Sequence, residues 1–196
     1  MKRSLQAALL LCAPLAICGA AVAQTAVSYS AVNNLAHDCY VAALTAAKTG
    51  MRPIATDALS TCDAALNSPL NLRDRAATFD NRGILHDTTQ DWSAAWSDFD
   101  ASIRLNPELG DAWLNRGVSL IRMKERPEEA LSNIQHGVEL GPSLPQVGYY
   151  DLGVAQQSLG HAAEAYAAYK RALSVDPSFA PAAEALKNFR VVPAGA

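Results

Sequence analysis

The segment FDNRGILH starts at Phe79 and WLNRGVSL at Trp113, so Asn-Arg-Gly returns after 115 − 81 = 34 residues. A recurrence at that interval constrains the fold more than any composition figure does. One such period is a single supersecondary unit that cannot bury its apolar face alone, so the units must stack. A third stretch, YYDLGVAQ from Tyr149, keeps the aromatic and the glycine and loses Asn-Arg. Aligned on Gly83, Gly117 and Gly153, the aromatics Phe79, Trp113 and Tyr149 stand four residues earlier. Ala95, Ala130 and Ala165 follow at twelve or thirteen, and Phe99, Ile134 and Tyr169 at sixteen or seventeen. Small residues (Ser102, Gly137, Ala172) come at nineteen or twenty, and Pro107, Pro142 and Pro177 at twenty-four or twenty-five.

These offsets read as two helices per unit. An aromatic and a glycine four apart share one helix face. The alanine and the small residue seven further on share a face of a second helix, and small residues on facing surfaces let antiparallel helices approach closely. TTQD, KERPEE and LGHAAE supply polar turns, and each proline closes a second helix. Half the residues are apolar, much of that share is alanine, and only 7% are aromatic, which fits an all-α chain. Arg82 and Arg116 are expected to lay their alkyl stems over the seam between helices with the guanidinium in water.

The order aromatic, glycine, alanine, aromatic, small residue, proline resembles the tetratricopeptide repeat family, in three matches in register across 76–179. That resemblance implies a right-handed α-solenoid of antiparallel helix pairs, with units at 76–109, 110–145 and 146–179. A divergent first pair is expected at 30–75, where Ala42, Ala46, Ala58, Cys62 and Ala65 repeat the offsets around Ala46 and GMRP supplies the turn. A capping helix is expected at 180–190, with Leu186 and Phe189 covering the last repeat, Lys187 and Arg190 facing water, and 191–196 a tail. In the divergent unit Cys39 opens the first helix and Cys62 lies late in the second. Antiparallel packing places those ends side by side, so a disulfide is expected, worth roughly 3 kcal/mol through the unfolded state; two buried thiols are the alternative.

The start of the chain reads separately. Lys2 and Arg3, an apolar run and Ala21-Val22-Ala23 before Gln24 form the pattern of a secretory signal peptide over 1–23, with 24–29 a short linker. A retained membrane anchor is the competing reading, and Pro14 with the small-residue exit favours cleavage. Removal of 1–23 would leave 14 − 19 = −5 charges and two of the four cysteines. Such a chain has no electrostatic footprint for nucleic acid or an anionic membrane, and its two cysteines suit an oxidising compartment. The expected location is periplasmic or secreted, without a stable membrane anchor after cleavage.

No HExxH, GxSxG, P-loop or CxxC pattern occurs. His37, His86, His136 and His161 fall at different offsets in different units, which is no metal-ligand pattern. Neither a cofactor nor a metal nor a catalytic set is expected. In the family the resemblance points to, the first helices of successive units line a concave groove that holds an extended peptide or a partner helix. Carried over by offset, its positions here are Asn81, Ile84, Asp87 and Thr88, then Asn115, Val118 and Arg122, then Asp151, Val154 and Gln157. Asparagine amides both donate and accept, which suits a peptide backbone; solvated polar residues without a ligand are the alternative. A family subset clamps a terminal carboxylate with several basic residues. Arg122 is the only clear groove cation here, which argues against such a clamp. The expected function is therefore a non-catalytic adaptor or scaffold of the bacterial envelope with a protein or peptide partner. A self-associating structural protein, for which Trp92 and Trp96 are the residues to watch, and a non-catalytic subunit of an enzyme complex are the rivals.

Overall fold

The computed structural model of the protein describes Gln6–Ala8 and residues 34–192. The leader reading falls almost wholly outside those residues. Among the described residues eight helices follow one another in antiparallel pairs: α1 (Asn34–Thr49) with α2 (Arg52–Leu66), α3 (Leu72–Thr88) with α4 (Trp92–Leu105), α5 (Gly110–Met123) with α6 (Pro127–Leu140), and α7 (Pro145–Ser158) with α8 (Ala162–Val175). A short α9 (Ala180–Leu186) closes the array. Each helix packs on its pair mate and each pair on the next, which makes an all-α solenoid.

Local chemistry sets the boundaries. Gly50 takes φ +65° between α1 and α2, a left-handed conformation that suits glycine, and Pro53 lies in the first turn of α2. Asn71 caps α3 by accepting from the Asp74 amide, and Asp91 caps α4 through the Ala94 amide. Helices α4, α6 and α8 stop at Leu105, Leu140 and Val175, each two residues before a proline.

Packing within each unit explains the recurrent glycine. A Cβ placed on Gly83 would lie 2.5 Å from the Phe99 ring, one on Gly117 2.6 Å from Ile134, and one on Gly153 2.4 Å from Tyr169. The bulky residue of the second helix therefore sits directly on the bare backbone of the first. Gly110 and Gly137 do the same with each other's carbonyls. In the first pair both halves of this socket are absent, since Ala46 replaces the glycine and Cys62 replaces the bulky residue. Its buried apolar residues are Ala36, Cys39, Ala43, Ala46, Ala55, Cys62, Ala65 and Leu66. Cys39 and Cys62 are joined in a disulfide, and both are fully buried.

The far end is covered as the sequence suggested by Leu186 and Phe189, the latter packing at a tilt on Tyr166 and edge-on against Tyr169, with ring centroids 5.7 and 6.0 Å apart. The expected capping helix is shorter than 180–190. It ends at Leu186, and Arg190–Val192 instead form a strand, β2, antiparallel to β1 (Gln6–Ala8). Lys187 is exposed and pairs with Glu184; the side chain of Arg190 lies outside the described residues. Trp92 and Trp96 are half-buried, with Arg126 over the Trp96 ring at 5.2 Å. Among the described residues no helix is long and apolar enough to cross a membrane.

Candidate functional site

The recurring arginines do not leave their guanidinium groups in water. Arg82 on α3 donates from Nε and Nη2 to both oxygens of Asp98 on α4, at 2.8 and 2.6 Å, and from Nη1 to Asp63 on α2 at 2.6 Å. Arg116 on α5 repeats the arrangement, donating to Asn133 on α6 and to Asp100 on α4, both at 2.7 Å. Each guanidinium also lies over the aromatic ring three residues earlier, Phe79 at 5.4 Å and Trp113 at 4.6 Å. One arginine thus binds the second helix of its own unit and the second helix of the unit before. The expectation failed because a planar guanidinium finds bidentate carboxylate partners that an alkyl-stem argument does not consider. Where Leu152 replaces the arginine, the position matching Asp98 and Asn133 is Ala168. That paired loss is the signal from which the bridge could have been read.

Some of the candidate groove positions come together across α3, α5 and α7. Asn115 donates to the Asp80 carboxylate at 3.1 and 3.4 Å. Arg122 Nε lies 3.1 Å from Asp87 Oδ1. Asp151, on α7, feels the charges of both Arg122 and Asp87. Most of these residues are buried, however. Asn81 and Asn115 are 1% and 2% exposed, and the Asn115 amide is spent on Asp80 rather than left open for a ligand. Ile84 and Val118 belong to the core, and Val154 packs half-buried against it. Thr88 returns its hydroxyl to the Ile84 carbonyl at 2.9 Å, and Gln157 accepts from the Tyr169 hydroxyl at 2.8 Å. Arg122 is half-buried.

The electrostatics of this face are acidic. Asp80 is wholly buried, and desolvation pushes its pKa well above the usual carboxylate range; Asp111 and Asp98 add to the rise and the Asn115 hydrogen bond opposes it. Asp151 is raised for the same first reason, with Arg122 opposing and Asp87 reinforcing. Asp111 accepts from the Ser143 amide and hydroxyl, tying α5 to the turn before α7. Asp80 and Asp111 were not singled out from sequence, and the only trace of Asp80 there is an acid immediately before a groove asparagine; Asp98 reads from sequence as a solvated or capping acid and is instead buried against Arg82. The histidines stay dispersed: His86 lies 3.8 Å from Asp98, His136 3.8 Å from Glu139, and His161 bonds Gln156 at 2.8 Å.

No protein-family model matches the chain. Among curated proteins it is 29% identical over 122 residues to Protein STIP1 homolog of Dictyostelium discoideum, covering 62% of this chain and 21% of that one. It is 31% identical over 117 residues to human DnaJ homolog subfamily C member 7, with 60% and 23% covered, and 39% over 80 residues to the Hsp70-Hsp90 organizing protein of Triticum aestivum, with 41% and 13% covered. The chain spans about a fifth of the length of the first two relatives. Among solved structures, a MamA RS-1 double mutant superposes with TM-score 0.60 at 20% identity, over 80% of this chain and 83% of that one. The first tetratricopeptide-repeat domain of Spaghetti (RPAP3), bound to the HSP90 peptide SRMEEVD, superposes with TM-score 0.55 at 21% identity, over 59% and 90%.

Proposed function

Because this chain is a tetratricopeptide-repeat solenoid, we propose that it is a non-catalytic interaction module, an adaptor or scaffold that holds a segment of a partner protein against the face shared by α3, α5 and α7. The observation that carries this is the set of polar side chains that the three first helices bring together: Asp80 with Asn115, Asp87 with Arg122, and Asp151 beside the second pair. A face built by packed helices is preformed, so its ordering is not charged to binding. The similar RPAP3 domains hold HSP90 and HSP70 peptides, which supports a peptide-binding role for the same fold. The leader-like start and the paired cysteines support an exported protein working in the bacterial cell envelope, in the periplasm or beyond.

The test is crosslinking and capture from the envelope fraction of an exporting cell. Wild type is run beside a variant carrying Thr88→Ala, Arg122→Ala and Gln157→Ala, positions that are half-buried and so reachable. Circular dichroism establishes that the variant keeps its helices. A partner held by wild type and released by the folded variant is the expected result. Equal capture by both would place binding on another surface.

A further inference from the structure

We propose that this face selects a partner segment carrying a lysine or arginine side chain, and that Asp151 is the residue that receives it. This rests on the adaptor reading above and adds the charge of the ligand. Among the described residues the shared face carries the carboxylates Asp80, Asp87, Asp111 and Asp151 and, facing them, the guanidinium of Arg122. That guanidinium is already engaged, 3.1 Å from Asp87. An acidic ligand therefore finds no spare cation among the described residues of that face.

Asp151 supplies the second observation. It is 3% exposed, and its Oδ1 is buried and accepts no hydrogen bond. A buried carboxylate oxygen without a donor is costly, and a charged N–H is the donor that suits it best. Buried as it is, it would be met by a long side chain rather than by a peptide backbone. Val154, one turn later on the same face, gives the alkyl stem an apolar wall. The groups facing Asp151 are Arg122 from α5, Asp87 from α3, Tyr150 beside it and Tyr169 from α8. Burial holds the free acid protonated to higher pH than usual, so a cationic side chain displaces a proton when it binds, and its affinity rises as pH rises through that elevated pKa.

The experiment uses two labelled peptides, the acidic SSMEEVD and its basic counterpart SSMKKVK, titrated by fluorescence anisotropy against wild type, Asp151→Asn and Glu164→Gln. Glu164 is exposed near the start of α8 and serves as a control for general charge attraction. The basic peptide is expected to bind wild type more tightly than the acidic one. It should lose about tenfold on Asp151→Asn and little on Glu164→Gln. Its affinity should rise with pH in wild type and stay flat in Asp151→Asn. Asp151→Asn is expected to keep or raise the melting temperature, so its loss is not unfolding. Tighter binding of the acidic peptide, unchanged binding of the basic peptide by Asp151→Asn, or binding of neither peptide up to about 1 mM would overturn the inference. Capture of a partner that still depends on Thr88, Arg122 and Gln157 would then leave the adaptor reading standing.

Discussion

Opening the Cys39–Cys62 bridge should melt the first helix pair and leave the rest of the array folded. The bridge closes a sequence separation of 23 residues. The chain-entropy relation gives about 11 cal/mol/K for a loop of that size, or about 3.4 kcal/mol at 25 °C. The three later units can offset such a loss with a bulky residue seated on a glycine, but the first pair buries almost only alanine besides the two cysteines. Alanine contributes little apolar area, so nothing local compensates. The assay is hydrogen–deuterium exchange resolved by helix, on the oxidised chain, on the chain reduced with a dithiol, and on the Cys39→Ala/Cys62→Ala variant. Reduction takes two electrons and two protons from the dithiol and leaves two thiols. Amides of α1 and α2 should then lose about 300-fold in protection, while those of α5 to α8 keep theirs. Equal loss in every helix would show that the array unfolds as one cooperative block. No loss in α1 and α2 would show that the alanine core suffices. Either result refutes the reasoning.

Three further outcomes are expected. Gly83→Ala should destabilise by about 1–2 kcal/mol, because overpacking against the Phe99 ring outweighs the helix-propensity gain; adding Phe99→Ala to the same chain should abolish that cost in a denaturation cycle. Arg82→Ala should cost about 2 kcal/mol by stranding the buried Asp98, whereas Asp63→Ala, at the exposed end of the same guanidinium, should cost under about 1 kcal/mol. Asp80→Asn should raise the melting temperature at pH 7 and have no such effect near pH 3.5. The folded carboxyl holds its proton more tightly than the unfolded one, so its penalty appears as pH rises above the unfolded pKa and is complete above the folded one. A gain that is independent of pH would show that packing, not charge, is at work.

The helix pairs were legible because their signal is steric and local. Gly83, Gly117 and Gly153 each announce a bulky residue sixteen or seventeen positions on, and the structure seats that residue on them. The cysteines were legible for the same reason: position along two antiparallel helices fixes which ends meet. The cap was placed correctly at Leu186 and Phe189 and drawn too long, since a period of 3.6 residues says little about where a seven-residue helix stops. What escaped was the destination of polar side chains. Asn115 and Arg116 are neighbours in sequence, yet one turns to Asp80 on the preceding first helix and the other to Asn133 and Asp100 on second helices. Partners 16 to 35 residues away leave no periodic trace, and only the joint replacement by Leu152 and Ala168 hints at them. For the same reason Asn81 and Asn115 looked like open amides from sequence, and burial is a property of the assembled stack.

The arginine bridges also grade the array mechanically. Arg82 rivets the second unit to the first, and Arg116 rivets the third to the second. The junction ahead of α7 has Leu152 at that place and no such rivet. A load applied along the chain meets an arginine bridge at each of the first two junctions, and at the last only the Asp111–Ser143 hydrogen bonds and apolar contact. Pulled from its two ends, the solenoid should part first between α6 and α7, releasing the last pair and its cap as one piece. The tether would lengthen in a single early step before the bridged units yield.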